Sequence, residues 1–157
     1  MIAIGILKTV HVLAAIFFLG FGLASFFYKA LAWRSRDPAV VLWCDRQIVL
    51  ADWIFTVPAG LTLPTTGAVL VLLYGLPWST GWIAVGLGGY VLAALTWLPA
   101  ARLQLQMRAM AERAVRAGTP LPDAYGAALR AWGALGIPSF AGALATLGAM
   151  VTKWTPF

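Results

Sequence analysis

Of the 157 residues, 62% are hydrophobic and 10% charged, whereas a soluble domain is roughly half apolar and a quarter charged, so water is not the main solvent of this chain. The net charge of +6 comes from cations confined mainly to two short stretches between apolar runs, which points to a membrane surface rather than to nucleic acid as the partner. One cysteine, Cys44, excludes an internal disulfide and any CxxC metal or CxxCH haem-attachment site.

The first apolar run starts within a few residues of Met1. It lacks a basic leader, Lys8 and His11 interrupt it, and no small-x-small cleavage site follows, so it is expected to be a retained helix over about 2–28. Lys29, Arg34, Arg36 and Asp37-Pro38 are expected to form the loop after it, with Pro38 opening the next helix. That second helix, about 39–73, begins with Cys44-Asp45-Arg46-Gln47 at the interface, where Asp45 is expected to be solvated and Arg46 and Gln47 to meet lipid headgroups. Pro58 and Pro64 each remove a backbone hydrogen bond within it and predict a bend, tolerated because Thr56 and Thr62 lie nearby.

From Trp53 to Ala101 there is no Asp, Glu, Lys or Arg. At about 1.5 Å per helical residue this run is about twice the thickness of a hydrocarbon core, so it holds two spans. The uncharged Gly75-Leu76-Pro77-Trp78-Ser79, between Tyr74 and Trp82, is the turn that separates them. The third helix, about 80–117, is expected to kink at Pro99, to continue from Arg102 as an amphipathic extension, and to stop at Gly118-Thr119-Pro120. A fourth helix over about 122–153 crosses the interface near Arg130.

The fold class is therefore all-α: an integral membrane four-helix bundle in one domain, with no internal repeat. The cations Lys29, Arg34, Arg36 and Arg46, and Arg102, Arg108, Arg113, Arg116 and Arg130, outweigh Lys8 and Lys153 on the opposite side. The positive-inside rule then places both basic segments in the cytoplasm and both chain ends outside. Gly20 and Ala24, Gly86, Gly89 and Ala93, and the stripe Ala141, Ala145, Ala149 predict close helix approaches. Trp33, Trp43 and Trp132 fall at one interface and Trp78, Trp82 and Trp154 at the other, leaving Trp53 and Trp97 to the bundle.

His11, the single histidine, lies roughly 12 Å below the outer surface at about 1.5 Å per residue. An ionisable ring at that depth is an axial haem ligand, a proton relay, or the partner of a neighbouring Thr, Tyr or carbonyl. Thr65, Thr66, Tyr90 and Met150 fall near its level, with Lys8 one turn above. Met150 would complete a His/Met haem site or simply fill the core, and Tyr90 is a weaker ligand candidate and a good interhelical hydrogen-bonding one. Asp52 needs a cation, expected from Lys29, Arg102 or Arg130; an ion pair that fixes packing is favoured over a proton-transfer role. No HExxH, Walker loop, Ser/His/Asp set or paired-carboxylate constellation is present, which argues against hydrolysis.

Leu7-Lys8-Thr9-Val10-His11-Val12 with Phe18-Leu19-Gly20, Thr56-Val57-Pro58, and Leu129-Arg130-Ala131-Trp132 through Ile137-Pro138 to Lys153-Trp154-Thr155-Pro156-Phe157 together resemble a bacterial family of four-helix integral membrane proteins defined as a domain of unknown function. That family in turn resembles the HemJ-type protoporphyrinogen oxidases and, more distantly, the CopD membrane domain. The resemblance implies the bacterial inner membrane and a b-type haem held by His11. It does not imply the HemJ reaction, because the third helix here has neither the histidine nor the lysine of that group.

Three functions follow. The first is a haem-binding redox protein, an oxidoreductase candidate. The second is a non-catalytic subunit or scaffold that meets a copy of itself or another membrane subunit through its Gly/Ala faces. The third is an oligomeric transporter of a small molecule or metal ion.

Overall fold

A chain inside lipid must satisfy its backbone N–H and C=O groups internally, and helices do this within one segment. The computed structural model describes residues 2–154, which form four helices long and apolar enough to cross a membrane: α1 (Ile2–Ser35), α2 (Pro38–Leu73), α3 (Gly81–Ala117) and α4 (Asp123–Thr152). No strand occurs among the described residues. The 37 residues of α3 reach about 55 Å, well past a hydrocarbon core of about 30 Å, so its arginine-bearing half projects beyond the lipid. We call that end of the bundle the basic end and the other the His11 end.

Helix α1 does not stop at Tyr28 but continues through Lys29 and Arg34 to Ser35, which leaves only Arg36 and Asp37 to make the turn. Arg36 adopts a left-handed φ of 61° and stacks on Trp33 at 5.5 Å. Asp37 then caps α2, accepting a hydrogen bond from the Ala39 N–H at 2.8 Å, with Pro38 in the first turn where its missing N–H is not needed. Gly75 and Gly118, with φ of 61° and 63°, terminate α2 and α3 as left-handed C-cap residues. These are the two stops expected from the sequence.

The interruption expected at Pro58 takes the form of a π-helical turn, Asp52–Thr56. Val57 N–H bonds back to the Asp52 carbonyl, and Pro58 falls in the first turn of the following α-helical segment. At Pro64 no such shift occurs. Its absent N–H frees the Gly60 carbonyl, and the hydroxyl of Tyr90 on α3 donates to that oxygen at 2.7 Å. Tyr90→Phe is expected to lower stability by about 1 kcal/mol. In a Pro64→Ala background the same change should have little effect, because the restored N–H takes the Gly60 carbonyl; a double-mutant cycle of unfolding in detergent measures the difference.

Burial is inverted relative to a soluble protein. Large apolar side chains such as Ile16, Leu61, Leu72, Ile137 and Val151 face outward, while a mainly apolar interior also holds Ser25, Lys29, Asp45, Thr56, Thr66 and Gln104. Helix α1 pairs with α2, and α3 with α4 still more extensively. The α3–α4 seam is set by Gly89 and Gly142: a Cβ on Gly142 would stand 2.7 Å from the Gly89 carbonyl oxygen. Thr146 on α4 reinforces it by donating to the Gly86 carbonyl at 3.0 Å. The expected small-residue faces are corrected accordingly. Gly20, Ala141 and Ala145 point outward; of the expected α4 stripe only Ala149 is buried, and Gly142 and Thr146 make the close approach. Past the π turn, Val57–Leu73 packs on α1 while its backbone stays clear of α3 and α4. The tightest packing lies at the basic end, where Val41, Ile48, Met107, Ala111, Tyr125 and Trp132 meet.

Candidate functional site

Helical spacing on α1 builds a single inward stripe through Leu7, His11, Ala14, Phe18, Ser25, Lys29 and Ala32. Lys29 follows His11 by 18 residues, five turns at about 3.6 residues each, so the two share a face. On α2 the inward positions are Asp45, Asp52, Thr56, Ala59 and Thr66. Apposed, the stripes make a polar line along the bundle interior.

At the basic end Lys29 Nζ lies 2.5 Å from Asp45 Oδ1, with the two residues 3% and 1% exposed. The hydroxyl of Tyr125 on α4 donates to the same carboxylate at 3.0–3.1 Å, and Met107 Sδ on α3 lies 3.9 Å from the ammonium. Trp132 and Tyr125 place their rings 5.4 and 5.9 Å from that ammonium. One buried ion pair therefore touches all four helices. This corrects three expectations. Asp45 is buried rather than solvated, Lys29 pairs with Asp45 rather than Asp52, and Trp132 belongs to the core rather than to an interfacial belt. Arg46 also has a protein partner, Glu112, at 3.1 Å.

The ion pair expected between Asp52 and Arg102 does not form among the described residues. Arg102 and Arg130 are both exposed, while Asp52 faces inward from the π turn. Both cations point away from the bundle interior.

At the other end His11 Nδ1 lies 2.7 Å from Thr66 Oγ1. The Thr66 hydroxyl has one proton, and it goes to the Thr62 carbonyl at 2.6 Å, so its oxygen accepts from an Nδ1–H. In that tautomer Nε2 carries the unprotonated lone pair. The ring lies against Gly67, where a Cβ would come 3.3 Å from His11 Cε1. Of the groups expected at this level, Thr66 meets His11, whereas Thr65 is exposed and bonds its own helix at Leu61. Tyr90 is committed to Gly60. Met150 is turned into the α3–α4 seam, where a Cβ on Gly86 would stand 2.6 Å from its methyl. Neither is presented as a second haem ligand, and no cluster of three or more His, Cys, Asp or Glu occurs among the described residues.

Lys8 lies over the Tyr74 ring at 4.9 Å and Lys153 over Trp82 at 3.5 Å. Partial burial, with repulsion from Lys8, holds the Lys153 ammonium below the usual lysine range. Trp53 is 67% exposed on the outer face of α2, and Trp97 lines an internal cavity.

Four long helices with outward apolar faces define an integral membrane protein with four spans. Residues 5–154 match the family described as "Predicted integral membrane protein (DUF2269)", and the chain belongs to it. Of the terminal stretch that resembles a membrane family, Thr155, Pro156 and Phe157 lie outside the described residues. No curated protein and no solved structure shows a significant match.

Proposed function

We propose that the chain is a redox protein of the bacterial inner membrane that holds a b-type haem through Nε2 of His11, with both chain ends on the outer side. The observation that carries this reading is the Thr66 hydrogen bond. It orients the imidazole and supports the tautomer with the proton on Nδ1 and the lone pair on Nε2, the one in which a histidine binds a metal through Nε2. Lys8 and Lys153, at the same end, are the cations suited to the propionates of such a group. With Tyr90 and Met150 engaged elsewhere, the sixth position is left to water or to a second subunit. When bound, haem iron supplies one-electron chemistry. The chain's own residues orient the ligand and, through the outward Leu, Ile and Val faces, keep the site in lipid.

Protein purified in mild detergent from haem-replete cells is expected to show a Soret band that His11→Ala abolishes. Thr66→Val should weaken haem retention by about tenfold or more, since it removes the group that orients the ligand. A colourless wild-type preparation would overturn the reading.

A further inference from the structure

Between the hairpins, about one turn from the Lys29–Asp45 pair toward His11, all four helices line a partly open cavity of about 60 Å³. Ser25 of α1, Asp52 and Thr56 of α2, Gln104 of α3 and Ser139 of α4 bring polar groups to its wall. The rest of the wall is apolar and includes the rings of Phe18, Phe26, Trp97, Trp132 and Phe140. Two buried oxygens there have no hydrogen-bond partner: Asp52 Oδ2 and Thr56 Oγ1. Thr56 is only 5% exposed. Orphaned polar atoms of this kind call for water, and a water needs about 10–15 Å³ of such space, so the cavity has room for several.

Charge decides what Asp52 is. From α1 it faces Ser25, and Lys29 one turn further on is held by Asp45. The same wall carries Thr56 from α2, Gln104 and Trp97 from α3, and Ser139 and Trp132 from α4, none of them charged. Arg102 and Arg130 are exposed, and His11 lies about 20 Å further along the stripe from Ser25. An ionised carboxylate inside the bundle, with the nearest ammonium, Lys29, already paired to Asp45, carries an effective penalty of several kcal/mol. Taking up a proton removes that penalty, which the nearby Thr56 hydroxyl and Gln104 amide can offset only as uncharged donors. Asp45, seven residues earlier on the same helix, meets the opposite surroundings: an ammonium and a tyrosine hydroxyl.

We propose that Asp52 is a proton-binding site, a neutral carboxylic acid inside the bundle that exchanges its proton with water held in this cavity. In the exchange the acid O–H bond breaks as a water oxygen gains the proton, leaving a carboxylate and a hydronium; the reverse step restores the acid. The π turn contributes by carrying Asp52 and Thr56, its first and last residues, to the same wall. This assignment is independent of haem at His11.

Two measurements on the full-length wild-type protein test it. Dicyclohexylcarbodiimide adds to protonated carboxyl groups in apolar surroundings, and peptide mapping by mass spectrometry after treatment at neutral pH is expected to find the adduct on Asp52. Its yield there should exceed that on Asp45 severalfold, because the Lys29 ammonium and the Tyr125 hydroxyl hold Asp45 as the carboxylate. Infrared difference spectroscopy in H2O and D2O is expected to show a protonated-carboxyl C=O band that shifts on deuteration and is missing in Asp52→Asn. Absence of both the adduct and the band would overturn the proposal. So would a band indifferent to D2O, which removes the water exchange, or protection of Asp52 by sodium, which makes the ligand a metal ion.

Discussion

Lys29→Ala is expected to destabilise the bundle by about 3–5 kcal/mol, the largest effect of any single substitution at its basic end. The Asp45 carboxylate would remain 1% exposed with only the Tyr125 hydroxyl to face it, and water could not replace the ammonium without opening the packing of Val41, Met107, Tyr125 and Trp132. Removing the charges together should behave differently. Lys29→Met combined with Asp45→Leu and Tyr125→Phe is expected to recover most of the loss, because no uncompensated charge or donor stays behind. Unfolding of the purified proteins by sodium dodecyl sulfate, followed by circular dichroism, reads both. A Lys29→Ala protein within about 1 kcal/mol of wild type, the range of an exposed pair, would mean that the ion pair does not hold the four helices together.

Gly142→Ala is expected to cost about 1–3 kcal/mol by overpacking. Its added methyl would meet the Gly89 carbonyl oxygen at 2.7 Å, and a backbone atom on the facing helix has no rotamer by which to yield. Gly148→Ala, two turns along the same helix, supplies the control. Nothing lies within 4 Å of a Cβ there, and alanine is the better helix former by about 1 kcal/mol. Loss of stability in the first and none in the second, measured by the same titration, would locate the α3–α4 seam. Equal behaviour would show that the seam lies elsewhere.

These effects bear on the two proposed sites unequally. The seam and the ion pair hold the scaffold, whereas His11 and Asp52 each occupy the interior with part of their bonding capacity unused. A variant that loses haem or the infrared band while keeping its detergent stability therefore reports on chemistry rather than on folding. Thr66→Val and Asp52→Asn are suited to that comparison, since both nearly preserve shape.

The sequence by itself determined that the chain crosses a bilayer four times and where three of its turns fall. Those features depend on local sums: the uncharged run from Trp53 to Ala101, Pro38 at a helix start, and glycines at the two left-handed caps, Gly75 and Gly118. The length of α1 was misjudged because Lys29 and Arg34 look like loop residues, although a helix can carry them past the lipid or, with a partner, inside the bundle. The shared face of His11 and Lys29 was legible from their spacing alone, and with it the inward aim of that lysine. Which acid it would meet was not. Asp45 and Asp52 stand seven residues apart on one face, and only the depth at which α1 and α2 pack selects between them. The π turn hides more: one extra residue in a turn rotates everything beyond it by about 100°, so faces counted from Asp45 no longer hold at Thr66. Tertiary structure alone decided that His11 meets Thr66, that Tyr90 repairs the gap left by Pro64, and that Asp52 lacks a cation. Crossing the membrane is a property of composition along a segment, whereas pairing inside it depends on helix rotation and depth, which packing between distant segments sets.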